Sequence, residues 1–166
     1  MRITETIDYP AAPERVYAMM TDEAFLDAVC RATHAISHDA SVTEHAGGAT
    51  VVTTRDLPTD GFPDFVRSFV GETITVVQTV TYAEEGADGR RNGDLMITMG
   101  TAPIGLKGSI SIAPSAAGSD ATTVVIDGEL SSSVPFLGGK IEKAAEPSVR
   151  SAVRKEHETG LAWLAQ

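Results

Sequence analysis

Hydrophobic and polar positions change their period twice along the chain. Alternation predicts a short first strand over Arg2–Asp8, and apolar residues at helical spacing predict two short helices over Pro13–Met20 and Asp22–Thr33. From His34 the period becomes two residues, which predicts a run of antiparallel strands. A last helical segment extends from about Pro135 to Ala165. This order predicts an α+β fold in which a curved antiparallel sheet wraps around a long C-terminal helix, with an apolar pocket between them.

Turn residues divide the β-rich middle of the chain. Gly47 and Gly48 mark one turn, and the segment from Pro58 to Pro63 is a loop rich in helix and strand breakers. Asp64–Val70 is predicted to form one or two helical turns. The clearest strand presents alternate residues on one face, namely Ile74, Val76, Gln78, Val80 and Tyr82. The predicted strands are His34–Val42, Thr50–Leu57, Thr73–Tyr82, Leu95–Met99, Leu106–Ile112 and Thr122–Leu130.

Candidate caps and prolines mark the predicted helix ends. Thr21 is a candidate N-cap of the second helix, and Ser133 is a candidate N-cap of the closing helix, with Pro135 in its first turn. Pro147 lies inside the closing helix and predicts a kink or a break near Ala144. The apolar stripe of this helix contains Ile141, Ala145, Val149, Ala152, Val153, Glu156, Gly160 and Leu164.

Composition narrows the functional classes. The chain of 166 residues suits a single domain over residues 1–166, and its hydrophobic fraction of 42% includes only 5% aromatic residues, so aliphatic side chains must fill the core. The net charge of −10 disfavours binding to nucleic acid or to anionic lipid. No segment is long and apolar enough to predict stable membrane insertion.

Cysteine content and the N-terminal segment indicate the compartment. Cys30 is the single cysteine, so an intramolecular disulfide is impossible and a reducing compartment fits. The first ten residues lack the continuous apolar stretch of a secretory signal. We therefore expect a cytoplasmic location, and we expect Cys30 to be a buried, inert thiol on the apolar stripe of its helix.

Motifs for metal, phosphate and nucleophilic chemistry are incomplete. His34 and His38 are four residues apart, but on a strand this spacing separates them by roughly 13 Å, too far to share one ion. The glycine-rich segment from Gly100 to Ser109 misplaces the lysine of a phosphate-binding loop and joins two strands. The chain also lacks a Gly-x-Ser-x-Gly elbow. The sequence therefore indicates no metal and no cofactor.

Two pairs of segments carry a family resemblance. Ile7–Tyr17 (IDYPAAPERVY) and Val134–Glu142 (VPFLGGKIE) resemble the first strand with its following helix and the start of the last helix of START-like proteins, the SRPBCC superfamily. Arg55–Pro58 and Phe65–Gly71 are similar to the uncharacterised bacterial family DUF2505. The resemblance covers essentially the whole chain.

The resemblance implies the helix-grip fold, which Bet v 1 pollen allergens and polyketide cyclases share, with two short helices after the first strand. The superfamily includes lipid carriers, hormone receptors, cyclases, hydroxylase subunits and co-chaperones, so the fold does not select one function. No catalytic residue is carried over from it.

Binding or carriage of a small hydrophobic molecule is the favoured function. A lipid, a fatty acid or a polyketide-like compound would suit the predicted pocket, with apolar contacts for affinity and a few polar groups for orientation. Arg55 could hold a ligand carboxylate through a bidentate pair. The candidate ligand-binding residues are Arg55, Ile74, Val76, Gln78, Val80, Ile97, Met99, Ile110 and Val149.

Two other functions stay open. A cyclase, aromatase or dehydratase would use one acid–base residue in the same pocket, because a carboxylate surrounded by apolar side chains has a raised pKa. The candidates for that role are Arg55, Gln78, Tyr82, Asp127, Glu142 and Glu156. A protein-interaction module would instead have a packed interior and a large exposed apolar patch.

Overall fold

The computed structural model describes residues 1–166 as one seven-stranded antiparallel sheet and four helices. The strands are β1 (Arg2–Tyr9), β2 (Ser37–His45), β3 (Gly48–Pro58), β4 (Thr73–Tyr82), β5 (Arg91–Met99), β6 (Ile104–Ser115) and β7 (Gly118–Ser132). The helices are α1 (Pro13–Met20), α2 (Glu23–Ala32), α3 (Asp64–Val70) and α4 (Gly138–Leu164). The predicted α+β helix-grip fold is confirmed.

The sheet joins the two ends of the chain. Its strand order is β1-β7-β6-β5-β4-β3-β2, so the first strand pairs with the last, and β2 forms the opposite edge. Ile3 lies opposite Gly128 in the register of β1 and β7. The remaining neighbours follow one another in sequence as a meander. Apolar residues alternate with polar ones along β4 and β7, which turns one face of the sheet toward the core.

Two glycines bring the backbones of β6 and β7 unusually close. Gly108 and Gly128 are direct cross-strand partners. A β-carbon on Gly108 would lie 2.1 Å from the carbonyl oxygen of Asp127, which is far closer than two such atoms can approach. Only glycine therefore fits at this position. Because both glycines lie on the inward face, the concave side carries no side chain at this point of the two strands.

The helices cover the concave face of the sheet. α4 packs against α2, β7 and β1, while α1 packs against β6 and β7. The buried hydrophobic residues form one cluster that includes Val16 and Phe25 from the first two helices and Ile141 from α4. No helix in the structure combines the length and the apolar character needed to cross a membrane.

The second strand begins later than predicted. β2 starts at Ser37, whereas His34 has a positive φ of 59° and turns the chain after α2. Ile36 is 64% exposed and lies before the strand. The prediction that His34 and Ile36 belong to this strand was therefore wrong, because the turn after α2 happens to continue the alternating pattern.

The predicted caps of α2 and α4 were also wrong. Asp22, rather than Thr21, caps α2, and its carboxylate accepts a hydrogen bond from the amide of Ala24 at 2.8 Å. α4 begins at Gly138, and no side chain caps it; Ser133 and Pro135 lie before the helix. A turn over residues 135–137 takes up the segment that was predicted to be the first helical turn.

α4 is continuous through Pro147, so of the kink or break predicted near Ala144 the break does not occur. Pro147 is exposed. On that side water can solvate the carbonyl group that proline leaves without an amide donor. The helix therefore continues without interruption from Gly138 to Leu164.

Candidate ligand-binding cavity

A cavity of about 420 Å³ lies between the concave face of the sheet, α2 and the middle of α4. Of the 28 residues that line it, 18 are hydrophobic, so its walls are mainly apolar. Its volume falls within the range of pockets that hold small organic molecules. A much smaller apolar recess beneath α3 shares Phe62, Ile74, Met99 and Ala145 with it.

The two ends of α4 pack into the core, whereas its middle borders the cavity. Its apolar stripe is buried in the core near both ends, at Ile141 and Leu164. Between them the same stripe lines the cavity with Val149, Ala152, Val153 and Glu156. The sequence periodicity therefore identified the inward side of α4 correctly, including the position of its one carboxylate.

Seven of the nine candidate ligand-binding residues line the cavity. They are Arg55, Ile74, Val76, Gln78, Ile97, Met99 and Val149. Strand alternation placed the first six on the correct face of β3, β4 and β5, and helical periodicity placed Val149 on the inward side of α4. Contact with a ligand stays a prediction for all seven.

Val80 and Ile110 do not line the cavity, and their assignment to it was wrong. Both are buried in the core. A β-carbon on Gly93 would lie 3.0 Å from Cγ2 of Ile110 and 3.1 Å from Cδ1 of Tyr82, so these two side chains meet over the glycine. The Tyr82 ring thus fills the end of the concave face where an open pocket was expected.

The α2 side of the cavity was not predicted. Leu26, Val29, Cys30 and Thr33 form this wall, and Thr53 adds an inward hydroxyl from β3. The apolar stripe of α2 was visible in the sequence. Periodicity alone cannot distinguish a stripe that packs on the core from one that faces a cavity. The sequence therefore did not identify α2 as a wall of the cavity.

Arg55 is the most buried charged residue in the cavity wall. Its side chain is 6% exposed, and its Nη1 donates a 3.3 Å hydrogen bond to Oγ1 of Thr33. Its Nε is buried and has no hydrogen-bond partner, and no carboxylate of the protein forms an ion pair with the guanidinium. A buried guanidinium without a counterion is costly, so this position favours an added anion.

Glu156 is the carboxylate in the same cavity. Burial raises its pKa above the usual range, while the positive charge of Arg55 partly offsets that effect. The two side chains form neither a hydrogen bond nor an ion pair with each other. Glu156 therefore has no partner within the protein and remains free to exchange a proton or to contact a ligand.

Three of the six acid–base candidates, Tyr82, Asp127 and Glu142, lie outside the cavity, whereas Gln78 lines it. Asp127 pairs with Arg2, whose Nη2 lies 2.6 Å from its carboxylate, and it also accepts a hydrogen bond from Thr4. Glu142 accepts a hydrogen bond from the amide of Ser132 at 3.0 Å. Tyr82 is buried against Tyr17. These contacts exclude Tyr82, Asp127 and Glu142 from the proposed pocket chemistry.

The cysteine and histidine side chains near the cavity do not form a cluster. Cys30 is buried, and desolvation raises the pKa of its thiol. His38 hydrogen-bonds to Asp27 beside α2, whereas His34 reaches the cavity from the turn after α2. No three His, Cys, Asp or Glu side chains are grouped so that they could hold a metal ion.

Sequence comparison decides the family. The family model described as a protein of unknown function, DUF2505, matches residues 4–164. The chain belongs to the DUF2505 family. Comparison with curated protein sequences gives no significant match.

Solved structures that include a START superfamily protein share the fold of this DUF2505 protein. The Zhui aromatase/cyclase from Streptomyces sp. R1128 superposes with a TM-score of 0.62 at 13% identity, over 98% of this chain and 92% of that one. A START superfamily protein from Mycobacterium smegmatis gives a TM-score of 0.57 at 15% identity, over 98% of both chains. Norcoclaurine synthase from Thalictrum flavum gives 0.57 at 9% identity, over 100% of this chain and 87% of that one. At these identities the similarity establishes the fold that the DUF2505 chain shares with them.

Proposed function

We propose that the chain acts as a single domain that binds and carries a small, mainly apolar molecule in the cavity between the sheet and α4. One observation carries the proposal: the fold leaves about 420 Å³ unfilled at its centre and lines that space chiefly with hydrophobic side chains. Interiors of proteins are normally close-packed, so a space of this size is costly to retain without a use.

The polar groups of the cavity would orient the ligand. Arg55 and Gln78 face the space from β3 and β4, and Glu156 faces it from α4. The apolar wall contributes affinity that depends on buried area, while the few polar groups select the position of the ligand's polar end. This division suits a molecule with one polar group and an apolar body.

The test is native mass spectrometry of protein purified without detergent from its natural host, followed by identification of any released compound. We expect a stoichiometric adduct that disappears in Val76→Trp, because the indole occupies the cavity. Val77→Trp is the matched control, since it places the same side chain on the same strand but on the opposite face of the sheet. A protein that is always empty, or an adduct that both variants lose equally, would contradict carriage in this cavity.

A second candidate function rests on Glu156. A partly buried carboxyl group with a raised pKa and no protein partner is suited to proton transfer, which a cyclase, aromatase or dehydratase requires. The names of two structural neighbours, an aromatase/cyclase and a synthase, give this candidate further support by analogy of fold alone.

Glu156→Gln distinguishes the two candidates. An enzyme would retain affinity for the co-purified compound but lose its conversion, while a carrier would release that compound unchanged from both proteins. The unfilled cavity gives no support to the third candidate, an interaction module with a packed interior.

A further inference from the structure

We propose that the molecule bound in this cavity is a monocarboxylic acid whose carboxylate pairs with the guanidinium of Arg55. This inference rests on the proposed function, because it names the chemical class of the same ligand.

The guanidinium of Arg55 has an unused hydrogen-bonding edge. Its one hydrogen bond, from Nη1 to Thr33, is long at 3.3 Å, and its buried Nε has no acceptor. Guanidinium groups bind carboxylates through two parallel N–H···O bonds, and such pairs are stronger than hydrogen bonds between neutral groups. A planar anion in the cavity would supply the acceptor that Nε lacks.

The neighbouring carboxylates of the protein are already engaged elsewhere. Asp56 follows Arg55 in β3 but accepts hydrogen bonds from Ser37 and Thr75 on the other face of the sheet. Asp27 pairs with Arg31 and His38. Glu156, the carboxyl group in the same cavity, senses the charge of Arg55 but forms neither a hydrogen bond nor an ion pair with the guanidinium. The position beside the unpartnered Nε is therefore left for a ligand carboxylate.

The charge balance of the cavity favours a single negative charge. Arg55 is one permanent cation, and Lys155, the other cationic side chain in the lining, directs its ammonium group to Glu158 at 3.3 Å. A phosphate dianion would lie near the Glu156 carboxyl group with too few donors to neutralise it. A carboxylate matches the one guanidinium, and the apolar wall accommodates the rest of the acid.

The experiment compares acids with alcohols of the same chain length. Isothermal titration calorimetry would measure the binding of hexanoic, octanoic and decanoic acids and of hexanol, octanol and decanol to the delipidated protein. Hydrogen bonds to a charged partner give the acid an advantage of about tenfold or more in affinity at the length that fits best. We expect this preference in the wild-type protein.

Two substitutions of Arg55 assign the preference to its side chain. Arg55→Met removes the charge and keeps much of the volume, so acid and alcohol should bind with similar affinity while alcohol binding persists. Arg55→Lys keeps the charge but lacks the two-pronged geometry, so its preference should be intermediate. Arg90→Met, in the exposed loop before β5, is the matched control and should bind like the wild type.

Three results would overturn the inference. Equal binding of acids and alcohols to the wild-type protein would contradict it while leaving carriage of apolar molecules intact. Retention of the acid preference in a folded Arg55→Met protein would assign the preference to another group. Failure of every acid to bind would also overturn the inference, and the co-purified adduct would then decide separately whether the proposed function survives.

Discussion

Gly160 in α4 lies directly against the ring of Tyr9 in β1. A β-carbon at residue 160 would be 2.6 Å from Cε1 and 2.8 Å from the hydroxyl oxygen of Tyr9. The Tyr9 ring is 1% exposed and also packs edge-on against His157, so it has no room to move. The first strand and the last helix can approach each other this closely only because residue 160 has no side chain.

Gly160→Ala should therefore destabilise the protein by about 1–3 kcal/mol, the usual cost of overpacking a core. Chemical denaturation monitored by circular dichroism measures the change. Gly139→Ala is the matched control in the same helix, because nothing lies within 4 Å of a β-carbon there. Alanine at residue 139 should be neutral or stabilising. Equal stabilities of the two variants would show that the Tyr9 ring can move away.

Glu156 should make stability depend on pH in a defined direction. Burial raises its pKa in the folded protein above the ordinary value of 4.5. A raised pKa means that the folded state binds the proton more tightly, so this contribution to stability is fully present below the ordinary pKa and is lost as pH rises through the folded one. The free energy of unfolding of the wild type should fall relative to that of Glu156→Gln over this range.

Parallel denaturation series of the ligand-free wild type and Glu156→Gln measure this dependence. The amide introduced by the substitution cannot ionise, so the difference between the two curves isolates the carboxyl group. Glu158→Gln, at an exposed position in the same helix, is the control and should follow the wild-type curve. A difference that is constant with pH, or that has the opposite slope, would contradict a desolvated, unpaired Glu156.

Arg55→Met should raise the stability of the ligand-free protein. The substitution removes a buried donor without an acceptor and replaces it with an apolar side chain of similar length, which we expect to add about 1–3 kcal/mol to the free energy of unfolding. Arg90→Met changes an exposed position and should shift stability by no more than about 0.5 kcal/mol. If Arg55→Met were strongly destabilised, Arg55 would have a structural partner that the ligand-free protein supplies.

Cys30 should react slowly with thiol reagents in the native protein. It is 1% exposed, and desolvation raises the pKa of the thiol, so little of the reactive thiolate forms at neutral pH. Labelling with a chromogenic disulfide should be slow in buffer and fast in denaturant. Rapid labelling of the native protein would show that the α2 wall of the cavity opens to solvent.

Local signals predicted some elements to the residue. Proline at the first turn and helical spacing gave α1 its observed bounds, Pro13–Met20, and strict alternation between loops gave β4 its bounds, Thr73–Tyr82. The predictions of the start of β2 and of the cap of α4 were wrong because both features depend on contacts between segments that are distant in the sequence. The backbone turn at His34 and the contact of Glu142 with the amide of Ser132 have no signature in the nearby sequence.

The sequence predicted which face of the sheet forms the candidate site. It did not predict how much of that face borders an open cavity. Alternation placed Val76 and Val80 on the same side of β4, and both do point inward. Only the packed structure shows that the ring of Tyr82 closes the sheet beyond Val80, whereas the space beside Val76 stays open. The sequence could not show that Arg55 lacks a hydrogen-bonding partner either, because that depends on which side chains surround it in the folded protein.

The pairing of β1 with β7 has a consequence for how the chain assembles. β1 leaves the ribosome before every other strand of the sheet, yet its hydrogen-bonding partner spans residues 118–132 and is the last strand to be made. Until then Ile3 and Ile7 have no strand to cover their backbone and no α4 to bury their side chains. The sheet is completed across the longest sequence separation between any two paired strands, a topology associated with slow folding. The first strand to be synthesised is therefore among the last to gain its hydrogen-bonding partner.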